Sequence, residues 1–210
     1  MQKQSESERL LAITEYEKEY WNLGILPAGM DEVGRGPLAG PVVVGCVILP
    51  AQPLIEYIND SKKVSEKRRE LLYPRIKELA VACATGWIDE KTIDEINILN
   101  AIKLACKQAF YGMKHECRHV LIDALSGLDI AAEQIAIIHG DAKSYLIAAA
   151  SIFAKVERDR YMIKMHEVYP QYGFDKNKGY GTAQHIAALR EYGPCPLHRR
   201  SFIGNFIGEA

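Results

Sequence analysis

At 210 residues the chain is long enough to bury one substantial core. Its 48% hydrophobic and 25% charged residues exclude wholesale disorder. A formal net charge of −1 argues against a protein that coats nucleic acid without specificity, although it leaves room for a local basic groove.

Helical spacing opens the chain: Leu10, Ile13, Tyr16 or Glu17, and Tyr20 recur on one side between Ser5 and Trp21, and predict an amphipathic helix packed on the body. Its surroundings are acidic, with Glu6, Glu8, Glu15, Glu17 and Glu19, and hold no apolar signal-peptide core. A short strand is predicted at Ala28–Glu32, then a turn, then a Val- and Ile-rich strand at Val42–Leu49. The apolar run Pro41–Leu49 is far too short to span a bilayer. Asn59-Asp60-Ser61 reads as a loop, and Ser65 as the N-cap of a helix reaching Leu79. The basic run Lys67–Arg69 there suits a solvated helix face at least as well as a binding surface.

A strand is predicted over Val81–Ile88 and one long helix over Thr92–Met113. Two further strands, His119–Ala124 and Gln134–His139, each lead into an acid, Asp123 and Asp141. The longest helical pattern runs from Ser144 to Val168, and its small residues Ala148, Ala149, Ala150, Ser151 and Ala154 favour close packing. Pro170–Gly181 is a predicted loop and Thr182–Tyr192 a helix, followed by a basic tail. Strands and helices mix without strict alternation, which predicts an α/β fold: a mixed β-sheet flanked by helices, with a helical C-terminal part. The five cysteines are odd in number and form no C-x-x-C pair, which fits a reducing cytoplasm.

The chemistry concentrates in residues 29–41, Gly-Met-Asp-Glu-Val-Gly-Arg-Gly-Pro-Leu-Ala-Gly-Pro. Two carboxylates, Asp31 and Glu32, precede a cationic turn, Gly34-Arg35-Gly36. Paired carboxylates suit a hard divalent cation. An arginine flanked by glycines suits a phosphodiester, because the backbone can approach it closely. Asp31, Glu32, Asp123 and Asp141 all fall at predicted strand ends or at a helix entrance, where side chains of α/β sheets converge. Bound cations would relieve their mutual repulsion, and two of them can assist both attack and departure at phosphorus. Adjacent strand residues point to opposite faces, so either the chain bends at Asp31–Glu32 or Glu32 contributes differently. Taken singly, Asp141 equally suits a helix cap and Asp123 a turn.

Basic and small polar residues are interleaved with these acids. Lys143 and Ser144 lie at a helix N-terminus, which favours phosphate. Ser151 and Lys155 share a helix face, where the one also suits packing and the other solvation. Lys176, Lys178, Tyr180 and the tail His198-Arg199-Arg200-Ser201-Phe202 suit a sugar-phosphate backbone with some ring stacking, although Tyr180 could equally pack on the core.

Assembled in order, these segments resemble ribonuclease HII, the type 2 ribonuclease H of bacteria. The resemblance is carried by residues 31–41, Asp60-Ser-Lys-Lys63, Val120-Leu-Ile-Asp123, Gly140-Asp-Ala-Lys-Ser144, Ala150–Val156 with Arg158-Asp159, Gly179-Tyr-Gly-Thr182 and His198–Phe202. The Gly34-Arg35-Gly36 turn separates it from ribonuclease HIII, whose pattern carries lysine there. The resemblance, which runs from about Ala28 to Phe202, implies a ribonuclease H-like fold, read as a domain over residues 25–210. The helix of residues 1–24 lies outside the motifs and is expected as an N-terminal extension packed on the body. It implies Mg²⁺ or Mn²⁺ held by Asp31, Glu32, Asp123 and Asp141. The substrates would be RNA–DNA hybrids and duplex DNA with embedded ribonucleotides, cut to 3′-hydroxyl and 5′-phosphate ends. Gly34, Arg35, Gly36 and Tyr180 would sense the ribose 2′-hydroxyl, the group that tells RNA from DNA. Lys63, Lys143, Ser144, Ser151 and Lys155 would contact the backbone. A cytoplasmic monomer with no membrane association is expected. Two rival readings are a DNA-specific metal-dependent nuclease of the same fold and a nucleic-acid-binding protein without catalysis.

Overall fold

The computed structural model describes residues 5–207, so residues 1–4 and 208–210 of the two expected domain segments lie outside the described residues. Two short helices, α1 (Glu6–Ala12) and α2 (Glu15–Trp21), replace the single helix predicted there. The cause is tertiary: at the break, the Ile13 carbonyl accepts a hydrogen bond from the Tyr145 amide at 2.8 Å.

Strand β1 (Ala28–Val33) pairs antiparallel with β2 (Val42–Ile48), which pairs antiparallel with β3 (Ala82–Ile88). Between β2 and β3 the chain forms α3 (Glu66–Leu79), capped by Ser65 as predicted. The helix predicted over Thr92–Met113 is two helices, α4 (Glu90–Ile96) and α5 (Ile98–Gly112). Asn97 breaks it with φ +65°, a region that Asn tolerates better than most residues, and its side chain caps α5 by accepting from the Asn100 amide at 3.1 Å. Strands β4 (His119–Asp123) and β5 (Glu133–Ile137) add parallel to β1, giving a mixed sheet of order β3-β2-β1-β4-β5. Then come a single turn, α6 (Gly140–Lys143), and the long helix α7 (Tyr145–Val168). The predicted loop Pro170–Gly181 contains a 3₁₀ turn at Pro170–Tyr172 and a short helix, α8 (Phe174–Asn177). Helices α9 (Ala183–Tyr192) and α10 (Arg200–Ile203) end the described chain. Among the described residues no helix is long and apolar enough to cross a membrane.

Alternation along the strands assigns the two faces of the sheet. Ala28, Met30, Val42, Val44, Cys46, Ile48, Val120 and Ile122 pack under α5. Val47 and Leu49 lie on the opposite face, in one cluster with residues of α3 and α7. Glycine makes that second contact close: a Cβ at Gly29 would lie 2.2 Å from the Leu146 carbonyl carbon. The C-terminal helices pack on the far half of α7 and on Leu38 and Ala39, so the segment after β1 is clamped between sheet and C-terminal part.

Candidate active site

The β1 ladder is regular through Val33, which pairs with Val43, so the chain does not bend at Asp31–Glu32. Asp31 shares the α7 side with Gly29, while Glu32 follows Ala28 and Met30 onto the α5 side. Both sit where β1 leaves its parallel partner: the last paired residues are Met30 and Ile122, one residue before Asp31 and Asp123. Asp123 ends β4, and its Oδ1 accepts a hydrogen bond from the Gly140 amide at 2.7 Å. That bond holds the left-handed turn at His139 (φ +58°) that starts α6, and so places Asp141 beside the strand ends.

The four acids act on one another. Burial pushes the Asp31 carboxyl well above the usual carboxylate range, and Glu32, Asp123 and Asp141 add to the rise against the Ser151 hydroxyl. Glu32 is raised by burial, with Arg35 opposing and Asp123 adding. Asp123 is raised by burial and by Asp141, while the Gly140 amide and Lys62 oppose. An all-oxygen set with destabilised negative charge suits a hard divalent cation. Among the described residues, however, no three His, Cys, Asp or Glu side chains already lie close enough to hold an ion between them. The donor set still fits Mg²⁺ or Mn²⁺ chemically, because Mg²⁺-type sites use one or two carboxylates and complete their shell with water and substrate phosphate.

The cationic turn projects beside these acids. Arg35 is exposed, with its guanidinium 3.7 Å from Glu32 Oε1. Gly34 has φ +88°, and a Cβ there would lie 2.3 Å from Arg158 Nε, so only glycine fits. Gly36 faces open space. The turn is held from behind by two arginines that are fully buried, at 0% exposure. Arg199 donates to the carbonyls of Gly34 (2.6 Å), Arg35 (3.0 Å) and Gly40 (2.7 Å). Arg158 donates to those of Pro41 (2.8 Å), Ala39 (3.1 Å) and Lys178 (2.9 Å). The Gly179 carbonyl accepts from the Leu38 amide at 2.9 Å, which brings the half-exposed Tyr180 next to the turn.

The remaining expected residues separate into two groups. Lys63 and Lys143 are exposed, and Lys63 lies 3.9 Å from Asp60. Ser144 is buried, donating its hydroxyl to Glu17 while accepting from the Ile147 amide. Ser151 donates to Ser61 Oγ at 2.8 Å. Lys155 is engaged by Asp159 at 2.6 Å, which Arg69 also approaches at 3.4 Å.

Three residues belong here in roles that sequence reasoning did not assign them. Lys62, rather than Lys63, meets the acids: its ammonium donates to Asp141 Oδ2 at 3.4 Å. Desolvation works against its charge, but Asp141, Asp60 and Asp31 outweigh that and raise its pKa. Arg158 carried a signal only in a segment of the family resemblance and Arg199 only as a member of the basic tail; their burial was not readable. His198 and Arg199, expected in a backbone-contacting tail, are both buried and face the protein interior.

Residues 28–205 match the family described as Ribonuclease HII. The ribonuclease HII of Caldanaerobacter subterraneus subsp. tengcongensis is 51% identical over 203 residues, which are 96% of this chain and 84% of that protein. The crystal structure of ribonuclease H2 from Pyrococcus horikoshii OT3 superposes with a TM-score of 0.69 at 27% identity, covering 84% of this chain and 93% of that one. Bst-RNase HIII in complex with Mn²⁺ shares the fold, with a TM-score of 0.68 at 16% identity over 95% of this chain and 71% of that one.

Proposed function

The chain belongs to the ribonuclease HII family and is a ribonuclease H-type endonuclease, and from this we propose that it cuts the RNA strand of RNA–DNA hybrids and incises duplex DNA 5′ of single embedded ribonucleotides. The observation that carries the reading is the juxtaposition of Asp31 and Asp123, from distant parts of the chain, at the parting ends of parallel β1 and β4 with Asp141 beside them.

Asp31, Glu32, Asp123 and Asp141 are the groups that would hold Mg²⁺ or Mn²⁺, and the Mn²⁺ complex of a protein with this fold is in keeping with that. Bound there, such an ion would supply Lewis-acid assistance to a water and to the departing 3′-oxygen, consistent with 3′-hydroxyl and 5′-phosphate ends. The chain's own part is positioning. The Gly34–Gly36 backbone and Arg35 reach the scissile phosphate and the 2′-hydroxyl, and Tyr180 packs against the adjoining sugar. Lys62, Lys63 and Lys143 meet neighbouring phosphates. Ser144, Ser151 and Lys155 act from the interior, by fixing α7 and the Asp60–Lys63 loop. All five cysteines are free, which suits the cytoplasm, and we take the working unit to be the monomer.

The test is cleavage of duplex DNA carrying one ribonucleotide, against an all-DNA control and a long hybrid, with Mg²⁺, Mn²⁺ or chelator, and with the cut mapped. Divalent-dependent incision 5′ of the ribonucleotide is expected. Cutting of the all-DNA duplex alone would favour the DNA-specific rival.

A further inference from the structure

The segment Cys195–Arg199 does more than close the C-terminal part. Its amide and carbonyl groups are stitched to the loop that follows the cationic turn: the Gly40 amide donates to the Leu197 carbonyl at 2.9 Å, and the Arg199 amide to the Leu38 carbonyl at 2.9 Å. Its side chains then reach in two directions. Arg199 takes the Gly34, Arg35 and Gly40 carbonyls. His198 takes a second histidine, His185 of α9, through an Nε2–Nε2 contact of 3.0 Å. Both rings are buried, edge-on to the Tyr172 and Phe174 rings or tilted against them.

The direction of each hydrogen bond in this pair follows from one group whose role is not negotiable. The Cys195 backbone N–H donates to His198 Nδ1 at 3.0 Å, so that nitrogen is an acceptor. Neutral His198 must then carry its proton on Nε2 and donate to His185 Nε2. His185 in turn carries its proton on Nδ1, which donates to the Tyr180 carbonyl at 2.9 Å. Each ring N–H meets an acceptor, with the Cys195 Sγ also 3.2 Å from His198 Nδ1, and a proton added to either ring would put two N–H groups face to face. Burial lowers the pKa of both rings, that of His198 to about 4, so both are neutral at pH 7.

We propose that His185 and His198 are positioning residues for ribose reading: an ordered chain from the Cys195 amide through both imidazoles fixes the Tyr180 backbone, while the adjacent Arg199 fixes the Gly34–Arg35 backbone. One five-residue segment thereby sets the spacing between the two halves of the site that meets the 2′-hydroxyl. The inference rests on the assignment of Gly34–Gly36 and Tyr180 to that contact. It makes the C-terminal part a ruler for junction recognition, acting without touching substrate.

Two variants and one spectrum test it. Gln at 185 can accept from His198 and donate to Tyr180 through one amide, whereas Phe keeps the aromatic packing and can do neither. His185→Phe is expected to lower kcat/KM on the single-ribonucleotide duplex by about tenfold or more, as a small misplacement of a positioning group does. Cutting of a long RNA–DNA hybrid should fall less, and His185→Gln should recover most of the loss. Equal losses on both substrates, equal losses in both variants, or no loss in His185→Phe would each overturn the proposal. Long-range ¹H–¹⁵N NMR of the unaltered protein judges the chain even if His185→Phe does not fold. A proton on His185 Nδ1 and on His198 Nε2 at pH 7 is expected, and the opposite tautomer on either ring refutes it. If the unaltered enzyme ignores the embedded ribonucleotide, the functional reading fails, while the tautomers still report on the chain of hydrogen bonds.

Discussion

Burial, Glu32, Asp123 and Asp141 all disfavour a charge on Asp31, and the Ser151 hydroxyl opposes them. Asp31→Asn removes that charge and keeps the shape, so without metal it should be a gain: about 1 kcal/mol, or about 2–4 °C in Tm for a chain this size. Its cleavage should fall further than the about 10–100-fold that outer-shell partners of a metal site cost. Thermal unfolding in chelator, beside the cleavage assay, checks both; a lower Tm would mean that the acids do not repel as described. The two buried histidines respond to pH in the same direction as a paired carboxylate, but in a higher window. Their pKa values are depressed in the folded state, whereas an unfolded histidine binds its proton near pH 6.5. The unfolded chain therefore holds more protons as pH falls, so their contribution is intact above about pH 6.5 and is lost towards pH 4. Tm measured across that window should drop more in the unaltered protein than in His185→Gln.

The helices can lie flush on the sheet because glycines sit where the backbones meet. On the α5 side the tight point is Gly86 of β3, where a Cβ would fall 1.9 Å from the Ala105 carbonyl oxygen. Gly86→Ala must push α5 off the sheet, a loss of about 3 kcal/mol, at the upper end for overpacking. Gly36 provides the contrast, since a Cβ there meets nothing within 4 Å. Gly36→Ala should leave the urea midpoint unchanged and lower cleavage, while Gly86→Ala should shift the midpoint strongly. Similar midpoints for the two would contradict the packing account. Elements also end where tertiary partners require: α2 supplies Glu17, whose carboxylate accepts from Ser144 and from the Leu146 amide at 3.0 Å, closing the N-terminus of α7.

The molecule as a whole carries almost no net charge, yet exposed Arg35 and Lys62 lie against acids of the site, and Lys63 and Lys143, beside Lys62 and Asp141 in the chain, are exposed as well. Such a distribution allows few phosphate contacts, each with its own salt dependence. Lys143→Ala is expected to reduce the slope of log affinity against log salt on duplex substrate by about 0.9, the value of one phosphate. Fluorescence anisotropy over a salt series with Ca²⁺ or chelator checks this, and an unchanged slope would remove Lys143 from the contact set. The first helices, expected as an extension packed on the body, do lie against it: Leu10 is in the core shared with α3 and α7, and Arg9 donates to the Ile58 carbonyl at 2.8 Å.

Reading the chain residue by residue was enough to locate the strands, the long α7 and the acids at their ends. Each of those depends on local pattern: alternation for β2, small residues for α7, an apolar run stopping at Asp123. It was enough, too, to pick out Gly34-Arg35-Gly36, because a turn announces itself in adjacent residues. Partner choice was not legible in the same way. That Lys62 meets Asp141, that Ser144 answers to Glu17, that Lys155 is engaged by Asp159, and that Arg158, His185, His198 and Arg199 are interior struts all depend on packing between elements. Arg199 and Gly34 are 165 positions apart. Periodicity encodes which side of an element is buried, but which buried group then meets which is set by how the elements dock.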